Sequence, residues 1–141
     1  MKILFDTNVI LDVLIEREPF VTAAVALFSL VETRKIQGYL GATTLTTLDY
    51  LLTKTNGCNS AKASIKALLQ LFEVCPVDST VLIQAVESNF SDFEDAVLYF
   101  AGENMGVDGL VTRNIEDFSL ARYTVYLPNQ LLDRLEMKIE K

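Results

Sequence analysis

The sequence predicts one α/β domain over residues 1–141, with helices on both faces of a central, mainly parallel sheet of about five strands, a three-layer α/β/α architecture. Three observations lead to it. Short apolar runs of strand length alternate along the chain with stretches whose apolar residues recur at helical spacing. The first run, Ile3-Leu4-Phe5, is apolar without alternation, the pattern of a strand buried on both faces. At 141 residues the chain can bury roughly two-thirds of the surface it exposes when unfolded, enough for one core.

The elements follow in order. Residues 1–5 form a strand that delivers Asp6 to its C-terminal edge. Asp6 there either faces the crevice in which open α/β sheets bind ligands or caps the next helix through its side chain. Residues 8–14 form a short helix that stops near Pro19, because proline disfavours helix at the residue before it. Pro19 opens a second helix running through Glu32, and residues 38–42 form the second strand. Residues 43–53 are helical, with Thr44 as the candidate cap and Leu45, Leu48, Leu51 and Leu52 as the buried stripe.

Asn56-Gly57 breaks the chain before an amphipathic helix over 60–71, with Ile65, Leu68, Leu69 and Phe72 on one side and Lys62 and Lys66 on the other. Residues 72–77 form the third strand, placed at an edge by Pro76. Asp78 or Ser79 caps a helix through Val86, a loop covers 88–91, and 92–104 is helical. A fourth strand (108–112), a turn (113–118) and a fifth strand (123–127) follow, and Pro128 opens a last helix with a mixed-charge tail.

Composition narrows the chemistry. Twelve basic against 19 acidic side chains leave a net charge of −7, which argues against a broad electrostatic footprint for duplex nucleic acid. The absence of histidine removes Ser-His-Asp, Cys-His and His-ligated zinc mechanisms. Cys58 and Cys75 have no neighbouring Cys or His and read as reduced thiols. No apolar run approaches the ~18 residues of a membrane span, and the N-terminus does not resemble a secretory signal, so the cytoplasm is the expected compartment.

The acids gather at expected strand ends. Asp92 and Asp95 lie three apart at the start of a helix and share a face, an arrangement that also reads as a capping box. Glu94 between them is expected to point elsewhere, into solvent. Asn114 and Asp117 follow the fourth strand, where turn geometry alone would also favour these residue types. Taken with Asp6, these positions suit a hard divalent cation, Mg²⁺ or Mn²⁺, which binds oxygen ligands and turns a bound water into a nucleophile without any histidine.

Four landmarks in this order carry a family resemblance: Phe5-Asp6-Thr7-Asn8-Val9-Ile10-Leu11-Asp12, the segment from Thr44 to Tyr50, Asp92-Phe93-Glu94-Asp95-Ala96, and Thr112-Arg113-Asn114 through Asp117-Phe118. Spanning nearly the whole chain, they resemble the PIN domain, a family of metal-dependent ribonucleases that includes toxins of bacterial toxin–antitoxin pairs. The resemblance implies Asp6 and Asp95 as metal ligands and Asn114 or Asp117 as the further C-terminal position, with more weight on Asp117 because asparagine brings no charge. It implies that Asp92 assists through a water, an RNA substrate, a small antitoxin protein as partner, and a homodimer built on the apolar helices of residues 20–31 and 60–72. Asp12 is read as a structural hydrogen-bond partner.

The departure lies at Thr47, where PIN nucleases commonly carry a glutamate three residues before a tyrosine, here Tyr50. Asp49 is about 200° around the helix from that position and is expected to face away. Two readings remain: a nuclease on three carboxylates, or a PIN domain that has lost activity and binds RNA or protein. A phosphatase-like use of Asp6 as a covalent nucleophile lacks the usual second acid two residues on, since that residue is Asn8.

Overall fold

The computed structural model describes residues 1–139; Glu140 and Lys141, the end of the expected mixed-charge tail, lie outside the described residues. Five strands form one parallel sheet: β1 (Lys2–Phe5), β2 (Gln37–Gly41), β3 (Glu73–Cys75), β4 (Gly109–Val111) and β5 (Thr124–Tyr126), in the order β3-β2-β1-β4-β5. Seven α-helices connect them among the described residues: α1 (Thr7–Leu14), α2 (Val21–Glu32), α3 (Ala42–Asn56), α4 (Cys58–Leu71), α5 (Ser79–Glu87), α6 (Phe93–Asn104) and α7 (Pro128–Ile139), with a 3₁₀ turn at Ile115–Phe118.

Side-chain alternation along β1 sets the layers. Ile3 and Phe5 point into a core with Val9, Ile10, Leu27, Leu48 and Phe72, whereas Leu4 points into the opposite core with Ala96, Tyr99, Leu110 and Phe118. Both faces of β1 are therefore covered, which is why its run is apolar without alternation. The chain builds β1, β2 and β3 outward in one direction, then crosses back through α5 and α6 to place β4 on the other side of β1. The crevice beyond the carboxyl ends of β1 and β4 is thus the switch point of the sheet, where ligands bind in such folds. Gly102 lets α6 approach it closely, since a Cβ there would stand 2.6 Å from Leu4 Cδ2.

The structure corrects several local expectations. Proline 19 does not open α2, which starts at Val21 after a turn through Phe20. Thr44 is a buried residue within α3 and caps nothing; the helix starts at Ala42 and runs to Asn56, past the expected residue 53. Two of its threonines bond back to carbonyls of the preceding turn, Thr46 to Thr43 and Thr55 to Leu51. The break before α4 is Gly57, at φ +89°, and α4 starts at Cys58 rather than residue 60. In α4, Leu68 is buried and Leu69 is half-exposed, so the apolar side is narrower than its spacing suggested. At the sheet's edge, β3 is shorter than expected and ends at Cys75, because Pro76 has no N–H to continue the ladder.

Candidate active site

Parallel pairing of β1 with β4 sets Phe5 beside Val111, so the next residues, Asp6 and Thr112, stand together at the switch point. The Asp6 N–H donates to the Val111 carbonyl (3.0 Å) and the Thr112 hydroxyl donates to Asp6 Oδ2 (2.7 Å). The other carboxylate oxygen accepts from the Thr7 N–H (2.8 Å), so Asp6 caps α1 and faces the crevice at once. Asn8 Nδ2 reaches both Asp6 Oδ2 (3.4 Å) and Thr112 Oγ1 (3.5 Å). Asp6 is buried, and no lysine or arginine among the described residues pairs with it.

The first turn of α6 brings the second group. Asp92 caps the helix by accepting from the Asp95 N–H (2.9 Å), and Asp95 stands half-buried one turn in. Burial pushes the Asp95 carboxyl up to about 7, with Asp6, Asp92, Asp117 and Glu94 adding repulsion. Burial likewise raises Asp6, opposed by its bonds from Thr112 and the Thr7 N–H and reinforced by the charges of Asp117 and Glu94. Asp6, Asp95, Asp117 and Glu94 therefore act within one electrostatic field.

Glu94 corrects the sequence reading. It is exposed, as expected, but does not point elsewhere: Thr47 Oγ1 lies 3.3 Å from Glu94 Oε1, within hydrogen-bond reach across α3 and α6. The position that departs from the family pattern is thus next to a carboxylate from another helix. Asp49 faces away as expected and lines a groove with Lys62 and Lys66 of α4. Asn114 and Asp117 line a cleft of about 740 Å³ together with Arg113 and Leu127. The Asn114 N–H donates to Thr112 Oγ1 (3.0 Å), tying the loop after β4 to the same hydroxyl that holds Asp6.

The donor chemistry fits a hard divalent cation, since every candidate ligand offers oxygen and the acids repel one another without a basic partner. Among the described residues no three acidic, histidine or cysteine side chains stand close enough to hold an ion as placed. Asp12 behaves differently. Fully buried, it accepts from Arg17 Nε (2.9 Å) and from Arg113 Nε (2.8 Å) and Nη2 (3.2 Å), which makes it the structural partner the sequence suggested. Thr112, Arg113 and Glu94 lie within the sequence landmarks, but their contacts with Asp6, Asp12 and Thr47 join distant positions and were not legible there.

The sequence pattern of the PIN domain matches residues 2–116. No curated protein matches the chain. Among solved structures it is similar to FitAcB from Neisseria gonorrhoeae (TM-score 0.69, 22% identity, covering 89% of this chain and 97% of that one). It is similar to VapBC2 from Rickettsia felis, bound to a DNA fragment from its promoter (TM-score 0.68, 13% identity, 90% and 98% covered). A third likeness is to Mycobacterium tuberculosis VapC20, described as a sarcin-ricin loop cleaving toxin (TM-score 0.61, 17% identity, 77% and 86% covered). At such identities these likenesses bear on the fold.

Proposed function

The chain belongs to the PIN domain family, and from that premise we propose that it is a Mg²⁺- or Mn²⁺-dependent ribonuclease that hydrolyses RNA phosphodiester bonds as the toxin of a toxin–antitoxin pair. The observation that carries this reading is Asp6, a buried carboxylate at the switch point that shares its field with three other acids and has no cation among the described residues. A structural acid in that position would be costly to leave unpaired. Asp6, Asp95 and Asp117 are the proposed ligands and catalytic acids. Asn114 contributes its side-chain oxygen, and Asp92 acts through a water.

A bound divalent ion would stabilise charge on the phosphoryl oxygen and lower the pKa of a water to make it a nucleophile. The chain's own residues prepare for this. Thr112 and the Thr7 N–H fix both oxygens of Asp6, so its orientation needs no adjustment. Asp95, raised to about 7, holds a proton near neutral pH that a cation displaces. Glu94 stands where Thr47 leaves the usual acid missing and offers a carboxylate to the same side of the site.

Support for the toxin setting comes from the likeness to VapC20, described as a toxin, and to a toxin–antitoxin complex from Klebsiella pneumoniae (TM-score 0.67, 19% identity, 89% and 96% covered). The proposal takes the cytoplasm as its compartment; no helix among the described residues is long and apolar enough to cross a membrane. A homodimer is part of the proposal, supported by exposed apolar side chains on α2 (Val25), α4 (Leu69) and α5 (Ile83, Val86). Light scattering that gave a monomer at all micromolar concentrations would remove that part.

The second reading, a PIN domain that binds RNA or protein without cutting it, is favoured by Thr47 and by the spread of the acids. Cleavage of a labelled single-stranded RNA decides between the two. The nuclease reading expects cleavage with Mn²⁺, none with chelator, and loss of at least a hundredfold in Asp95→Asn, on the scale of removing one electrostatic contribution to a transition state. Wild-type protein inert in Mn²⁺ would leave the binding reading.

A further inference from the structure

The cleft beside Asp117 neighbours a second cavity, of about 510 Å³, whose lining includes Pro19, Phe20, Arg113, Leu127 and Pro128. Arg113 and Leu127 line both, so the cavity with the aromatic ring is the neighbour of the cleft that Asp117 lines. Phe20 is 39% exposed and belongs to neither core. Its ring lies 3.9 Å from the Arg113 guanidinium carbon. Arg113 is itself held by Asp12, and Arg17 shares that carboxylate while keeping its side chain 36% exposed. Arg17 Nη2 also donates to the Asn8 carbonyl (3.1 Å), so both arginines are anchored beside the turn that carries Phe20.

We propose that this cavity is a nucleobase subsite, in which a base of single-stranded RNA stacks on Phe20; the proposal rests on the ribonuclease reading of the acid cleft. A planar base suits an apolar cavity whose ring is already fixed by a guanidinium, and the volume lies in the range of small-molecule pockets. The base must be splayed out to enter, which selects single strands over a duplex whose bases are paired and stacked.

Equilibrium binding of a fluorescein-labelled RNA decamer by fluorescence anisotropy tests this, with Asp95→Asn protein in chelator so that the RNA stays intact. Adding Phe20→Ala should weaken binding roughly tenfold, the scale of losing one base–aromatic stack, and Phe20→Tyr should restore it. On an abasic sugar–phosphate decamer the Phe20 variants should bind alike, which separates stacking from a change in fold; thermal melting of each variant checks the latter. Equal Kd for Phe20→Ala and its parent on normal RNA, an equal loss on the abasic strand, or no measurable binding by the parent would overturn the subsite. So would a Phe20→Ala effect on sedimentation instead of RNA binding, which would make a second copy of the chain the occupant. Cleavage by wild type tests the ribonuclease reading separately: cleavage with an inert Phe20→Ala result removes only the subsite, whereas base-dependent binding without cleavage removes only the nuclease.

Discussion

Asp6 and Asp12 are six positions apart on one strand–helix unit, both are buried, and they solve the same problem in opposite ways. Asp12 has two arginines on its two oxygens, one from the turn after α1 and one from the loop after β4. Its charge is neutralised within the chain. Asp6 receives a hydroxyl, a backbone N–H and a long amide contact, and its charged neighbours are acids. One carboxylate is paired as folded, and the other has no basic partner among the described residues, the position that the proposed divalent ion would fill. Burial by itself therefore does not separate a structural acid from a functional one; the sign of its neighbours does.

The largest effect expected from this contrast is on Asp12. Asp12→Asn leaves two guanidinium groups without their counter-charge and should cost about 3–5 kcal/mol of unfolding free energy, read by urea denaturation. The same change at Asp6 should cost much less in the metal-free protein, because it also relieves desolvation and repulsion. Similar losses at both positions would dissolve the contrast.

Next in size is the metal response. Mn²⁺ or Mg²⁺ at a hundredfold excess over Kd should add about 2.7 kcal/mol to wild-type stability. Asp6→Asn should abolish most of that gain, whereas a variant of Arg17 should keep it. Differential scanning calorimetry with and without the ion reads both, and an equal gain in wild type and Asp6→Asn would rule out the proposed site.

A smaller effect concerns pH. In the fold the Asp95 carboxyl is raised from 3.8 to about 7, so the folded protein retains a proton that the unfolded chain has released. Stability of the metal-free protein should then be highest below about pH 4 as far as this group is concerned, and fall as pH rises toward about 7. Asp95→Asn should flatten that slope, and a divalent ion should oppose it above pH 7. Melting temperature against pH in chelator is the measurement; an identical slope in Asp95→Asn would mean that the proton sits elsewhere.

The smallest effect is at Thr47. Thr47→Glu puts a carboxylate beside Glu94 and should cost about 0.5 kcal/mol without metal through like-charge repulsion. With Mn²⁺ the variant should gain more stability than wild type does. Thr47→Ala should change little in either state, since it removes one long hydroxyl contact. An unchanged Mn²⁺ response in Thr47→Glu would place residue 47 away from the ion.

Local pattern was enough for much of the molecule. The run Ile3-Leu4-Phe5 ending in Asp6 marked the central strand and the edge residue, and helical spacing marked the connecting helices, because both depend on neighbours within a few positions. Pairing across the sheet is a different kind of fact. That Asp6 meets Thr112 follows from the register of β1 against β4, with 106 positions between the two residues. That Glu94 faces Thr47 follows from how α6 packs beside α3, 47 positions away, and no helical spacing within Asp92-Phe93-Glu94-Asp95 could reveal it.

By itself, then, the sequence determined the strand–helix order, the parallel sheet, the acids available at strand ends and the exclusion of histidine chemistry, all properties of composition and short-range periodicity. Only the tertiary structure decided which of those acids are left without a cation. That depends on where the few arginines land: Arg113, from the loop after β4, turns toward Asp12 and Phe20 rather than toward Asp6. Charge pairing over such separations is fixed by packing, because a guanidinium goes to the carboxylate that the folded backbone brings within hydrogen-bond distance.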